Sequence, residues 1–112
     1  MNCEPAILQV VTTVETSEVA RHIASAVVER RLAACAQIDG PIHSVYRWQG
    51  EVNESPEYRL TMKTSEALCE ELIRVIKELH PYDLPEIVVG RLAASADYAH
   101  WINENTGSRN HV

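Results

Sequence analysis

Residues 6 to 14, AILQVVTTV, are a β-branched apolar run. A run of this kind reads as a central strand buried on both faces, so the rest of the chain must supply its covers and its neighbours. Glu15-Thr16-Ser17-Glu18 follows at once, offering cap residues and an acidic first turn for a helix. Behind it Val19, Ala20, Ile23, Ala24, Val27 and Val28 recur at helical spacing. Arg30 and Arg31 place positive charge where that helix's C-terminal dipole prefers it.

The pattern then alternates again. Leu32 to Ile38 (LAACAQI) predicts a second strand, and Asp39-Gly40-Pro41 breaks or bends it. The strand resumes as IHSVYRW, with Ile42, Ser44, Tyr46 and Trp48 sharing one face. Gln49-Gly50 predicts a hairpin turn. The return arm, Glu51 to Thr64, sets Tyr58, Leu60 and Met62 against Arg59, Thr61 and Lys63. Pro56 cannot donate to a ladder, so it marks an edge or a bulge there. Ser65 and Glu66 open a second helix, striped by Leu68, Leu72, Val75, Ile76 and Leu79 and ended by Pro81. Ile87-Val88-Val89 predicts a fourth strand. Ser95 caps a short helix carrying Tyr98, Trp101 and Ile102, and residues 106 to 112 read as a loose tail.

The order is β-α-β-β-α-β plus a terminal helix, the split β-α-β arrangement of an α+β, ferredoxin-like domain. One such domain accounts for residues 1–112. Right-handed crossovers put both long helices on one sheet face, leaving the short last helix for the other. The hairpin from Ile42 to Thr64 is longer than so small a domain can cover. Protruding arms with Tyr46 and Trp48 on one side call for a second copy to pair with them, which predicts an obligate homo-oligomer.

Composition narrows the function. Phe is absent and aromatic residues are 5% of the chain, so each ring occupies an unusual position. Tyr46, Trp48, Tyr58, Tyr98 and Trp101 fall in the hairpin and last helix, which suits an interface better than a cofactor pocket. A net charge of -6 argues against a phosphate-backbone partner, so no nucleic acid is expected. No basic amphipathic or long apolar segment points to a membrane. The start, Met1-Asn2-Cys3-Glu4-Pro5, lacks the features of a signal peptide. Cys3, Cys35 and Cys69 form no C-x-x-C pair, and a cytoplasmic protein with reduced thiols is expected. The loop Thr13-Val14-Glu15-Thr16 has no glycine and adds a negative charge, so it makes no phosphate cradle. The first strand has no aromatic ring for RNA, and no catalytic motif occurs, so the chain is not expected to be an enzyme.

Five segments then share an order and spacing: RRLAACAQI, SVYRWQGEV, YRLTMKTS, HPYDLPEIVV and DYAHWI. Over residues 6 to 104 the chain resembles the CutA family. The resemblance implies a ferredoxin-like homotrimer, similar to PII-type signalling proteins, linked to divalent-cation tolerance and able to bind copper. Some bacterial members carry a cysteine in place of Thr12 and a second histidine in place of Leu79 as their proposed copper ligands. Of those three positions this chain keeps a ligand side chain only at His80.

His80 is therefore the candidate metal residue, for copper or another divalent cation, with a bland alternative as a dipole-stabilised histidine closing a helix. Asp83 reads as a turn residue, Glu86 as a carboxylate at a strand entrance facing an inter-subunit cleft, and Tyr82 as a ring over the hinge. Lys63, with Glu57 nearby in sequence, is a candidate for a ligand cleft between subunits. His43 and His100 read as surface or packing residues, and Cys35 and Cys69 as buried thiols. Two functions fit: a trimeric metal-tolerance protein with copper near His80, or a PII-like small-ligand sensor or interaction scaffold with no physiological metal.

Overall fold

A computed structural model describes residues 6–108. Its central strand, β1 (Ala6–Val14), occupies the run that opened the sequence. Helix α1 (Ser17–Glu29) follows, and Thr16 caps it by accepting a hydrogen bond from the Val19 amide. Two long strands, β2 (Cys35–Trp48) and β3 (Glu51–Thr64), form the hairpin. A 3-10 turn at Glu66–Leu68 leads into α2 (Cys69–Leu79), then come β4 (Val88–Ala93) and α3 (Ala96–Glu104). The sheet order is β2-β3-β1-β4, with every neighbouring pair antiparallel. This is the expected α+β ferredoxin-like arrangement.

The two helices that cross over the sheet share one face of it. Val10 and Val14 from β1 and Leu60 and Met62 from β3 pack there with Ile23 and Val27 of α1 and Leu72, Val75 and Ile76 of α2. Each such fully buried aliphatic side chain contributes roughly 1.5–3 kcal/mol. On the opposite face α3 covers one end, where Ala99 and Ile102 close over Ile7.

Several local expectations change. Leu32 and Ala33 are buried connector rather than strand, because their amides still bond back to the Val27 carbonyl. Of the break or bend expected at Asp39-Gly40-Pro41 the bend is what forms: a bulge sits between Asp39 and Ile42 while the ladder to β3 runs on either side. The bulge thus lies opposite the strand in which Pro56 suggested one, and Pro56 stays paired with His43 in register. The Ser65 hydroxyl does not cap α2 and meets Thr106 Oγ1 instead.

Arg31 also departs from its expected role. Its backbone turns left-handed, at φ 61, and its guanidinium leaves the end of α1 to serve α3. Nε donates to the Gly107 carbonyl at 2.7 Å and Nη2 to the Glu104 carbonyl at 2.6 Å. The Gly107 amide returns a bond to the Arg31 carbonyl. Thr106 is buried and donates to the Ile102 carbonyl. Residues 106 and 107 are therefore fastened to the domain rather than loose, and 109–112 lie outside the described residues, as does Cys3.

Beyond the Val14–Tyr58 pair, β3 has only β2 beside it. Ile42–Trp48 and Glu51–Glu57 thus form a two-stranded ribbon projecting from the four-stranded sheet. Gln49 (φ 52) and Gly50 (φ 81) make its tight turn.

Candidate functional site: the cleft between the ribbon and the α2–β4 loop

The site is built where α2 must stop. Pro81 forces the residue before it out of helical geometry, and His80 is extended at φ -79, ψ 133. Its amide still bonds to the Ile76 carbonyl, so the turn is capped while the ring swings inward. There Nε2 donates to the Thr13 carbonyl at 2.9 Å, with Thr12 Oγ1 3.1 Å from the same nitrogen. Nδ1 accepts the Tyr82 amide at 3.2 Å. A carbonyl must accept and a backbone amide must donate, which assigns a neutral imidazole protonated on Nε2. Burial pushes the ring's pKa down from its usual value, against the Thr13 bond and the Glu57 charge, which raise it.

Tyr82 carries the chain of contacts outward. Its ring stands edge-on to His80, centroids 4.8 Å apart, and its hydroxyl donates to Glu57 Oε2 at 2.8 Å. Burial, and then the adjacent Glu57 carboxylate, hold the phenol far above the ordinary tyrosine range. Glu57 is 8% exposed, and Tyr82 is its one hydrogen-bond partner among the described residues. β1, the end of α2, the following loop and β3 are thus joined through Thr13, His80, Tyr82 and Glu57.

This line of residues borders an open cleft of about 700 Å³ between the ribbon and the loop. Tyr46 and Trp48 of β2 flank it, with Tyr82, Leu84 and Glu86 opposite and Glu57 among the lining residues. Of the expected site residues, Glu57, Tyr82 and Glu86 come together here, with His80 directly behind Tyr82. Asp83 joins them in the lining. Lys63 does not: it lies six positions along β3 from Glu57, about 20 Å away in an extended strand, and donates to Gln37. The two share a strand, and an extended backbone carries them apart.

Among the expected interface rings, Tyr46, Trp48 and Trp101 are each 43% exposed. Tyr58 differs, because it packs against the main core beside Gly40. Trp101 stacks on Tyr98 with centroids 5.8 Å apart. Cys35 and Cys69 are half-buried rather than enclosed. The Cys35 thiol lies 3.6 Å from the Tyr98 hydroxyl, and burial with Glu70 and Glu66 raises the Cys69 pKa. His43 pairs with Glu54 and His100 with Glu104, all at the surface. Among the described residues no three His, Cys, Asp or Glu side chains are grouped to hold a metal ion. Sequence reading missed Thr13 and Leu84 as parts of this site; neither stands in a pattern that marks it, since only the strand pairing and the loop path bring them to the cleft.

The CutA1 divalent ion tolerance protein family model matches residues 8–105. The divalent-cation tolerance protein CutA of Thermus thermophilus is 48% identical over 99 residues, which span 88% of this chain and 96% of that protein. Protein CutA of Mus musculus is 35% identical over 97 residues, 86% of this chain but 55% of that protein, so the chain spans about half the length of that relative. The solved Thermus thermophilus structure superposes with a TM-score of 0.87 at 47% identity, covering 90% of this chain and 99% of that one. CutA1 from Oryza sativa superposes at 0.88 with 30% identity, covering 96% and 99%. With the family model running along nearly all the described residues, the chain belongs to the CutA1 divalent ion tolerance protein family.

Proposed function

We propose that the chain acts in tolerance of, or response to, divalent metal ions, as a non-catalytic cytoplasmic homotrimer that holds copper or a related ion at the cleft beside His80. The observation that carries this reading is Glu57. A carboxylate removed from water is costly unless matched by a cation or by several donors, and this one has a single phenol. A divalent ion is the partner that such a group lacks.

His80 contributes by position. Both ring nitrogens are engaged in holding Thr13 and Tyr82, so the ring sets Tyr82, and Tyr82 sets Glu57. One chain provides few donors for a borderline metal, and the trimer supplies the remainder at the subunit boundary. The ribbon that would make that boundary exposes Val45 at 60% and Val52 at 64%, more apolar surface than a projecting monomeric hairpin tolerates. The names of the Thermus and other relatives support the divalent-ion role. No helix among the described residues is long and apolar enough to cross a membrane.

Calorimetric titration with Cu(II) and Zn(II) tests the reading. Saturable binding is expected for the unaltered protein, with loss in Glu57→Gln and weakening in His80→Ala. Isotherms unchanged by both substitutions would remove the ion from this cleft.

A further inference from the structure

Helix α1 stops in a way that usually calls for glycine. The Leu32 amide bonds to the Val27 carbonyl at 2.9 Å and the Arg31 amide to the Val28 carbonyl at 3.0 Å. These are the paired bonds of a helix end whose left-handed position is Arg31, at φ 61. An L side chain is strained in that backbone and glycine is not, so ending the helix gives no reason for an arginine there. The reason lies on the other face of the sheet. Arg31 Nε reaches the Gly107 carbonyl and Nη2 the carbonyl of Glu104, the last residue of α3, which has no partner within its own helix.

Within one chain α3 has little else to hold it. It is nine residues long, below the roughly 12–15 at which an isolated helix becomes stable. It buries Ala99 and Ile102, in a cluster with Ile7 that stands apart from the main core. We infer that α3 and the turn through Gly107 form a lid that opens separately from the rest of the domain, and that Arg31 is its latch. Opening bares Ile7 at the start of β1 and takes the Tyr98 hydroxyl away from the Cys35 thiol. Tyr98 and Trp101, the rings near or at the boundary between copies, take no part in the latch, which grips the opposite end of the helix.

The strain at Arg31 and the bonds of its guanidinium can be separated. The left-handed turn belongs to α1 and persists when the lid opens, so its strain cancels between the closed and open forms. The guanidinium bonds do not cancel. The Gly107 amide bond to the Arg31 carbonyl is backbone, and any residue at 31 keeps it.

Hydrogen exchange of the intact protein, read by mass spectrometry, follows the lid through the α3 amides, and urea unfolding follows the whole domain. In the unaltered protein α3 is expected to exchange faster than α2. Arg31→Ala and Arg31→Gly are each expected to speed α3 exchange by about tenfold, as the loss of two partly exposed charge-assisted bonds implies. The urea midpoint is expected to fall in Arg31→Ala and to hold in Arg31→Gly, where the relaxed turn offsets the lost bonds. Unchanged α3 exchange in Arg31→Gly overturns the latch, since something else, a neighbouring copy included, would then hold the lid. Exchange of α3 no faster than that of α2 in the unaltered protein overturns the separate opening.

Discussion

His80 is held neutral because its Nδ1 must accept the Tyr82 amide. Protonation would put a hydrogen on that nitrogen and set two donors against each other. Burial holds the folded ring's pKa below the ordinary histidine value of about 6.5. The unfolded chain takes up its proton first as pH falls, so this group's stabilisation is complete above about 6.5 and is lost as pH drops toward the lower folded value. Urea midpoints of the unaltered protein are expected to fall between about pH 7.5 and 5.5, and those of His80→Gln to fall less; equal falls would remove His80 as the cause. Arg31 acts at the same scale. Arg31→Ala removes two charge-assisted bonds, to the Glu104 carbonyl at the end of α3 and to the Gly107 carbonyl just past it, and is expected to cost about 1–2 kcal/mol in urea unfolding, given their partial exposure. His80's place at a helix end was legible from Pro81 alone. Its ring partners were not, because Thr12 and Thr13 stand 68 and 67 residues away, and only sheet pairing brings them near.

Among elements, the β2 bulge sets the direction in which the ribbon leaves the sheet. Gly40 sits there at φ +145, and an added Cβ would fall 2.9 Å from Tyr58 Cδ2 and 3.0 Å from the Glu57 carbonyl oxygen. Both neighbours are fixed, one by the core and one by the ladder, so Gly40→Ala is expected to cost on the order of 3 kcal/mol. Gly50→Ala, where an added Cβ meets open space, is expected to cost about 1–2 kcal/mol for its left-handed backbone alone. Chemical denaturation of the pair measures the difference, and similar losses would mean that the bulge tolerates crowding. All four strands and three helices were legible from hydrophobic period and cap residues. The bulge was legible as a break or a bend, and the choice between them was not, since a single strand's sequence does not reveal that its partner keeps pairing past the irregularity. Glu57 was visible as a polar residue on a strand, and its burial follows from the ribbon's path, which no local pattern encodes.

For the whole molecule, extents of 50 × 29 × 21 Å describe a compact body with a projecting arm. The arm carries apolar side chains on both faces, Val45 and Val52 on one and Tyr46 and Trp48 on the other. Light scattering is expected to give about three times the 12.6 kDa chain mass. Val45→Asp with Val52→Asp is expected to shift it to one chain mass; a monomer from the unaltered protein would defeat the assembly reading. A charge at either site costs little in an isolated ribbon, so the double substitution separates assembly from folding.

The central position of β1 has a consequence in time. Its two neighbours pair with it across long stretches of chain, Leu8 with Thr64 and Ala6 with Ala93. During synthesis the first strand made is the last to be enclosed, since neither neighbour exists when it emerges. Contacts of such high sequence separation slow folding and lengthen the exposure of an apolar segment. The run AILQVVTTV, the most protected part of the finished sheet, is the part of the nascent chain that waits longest for shelter.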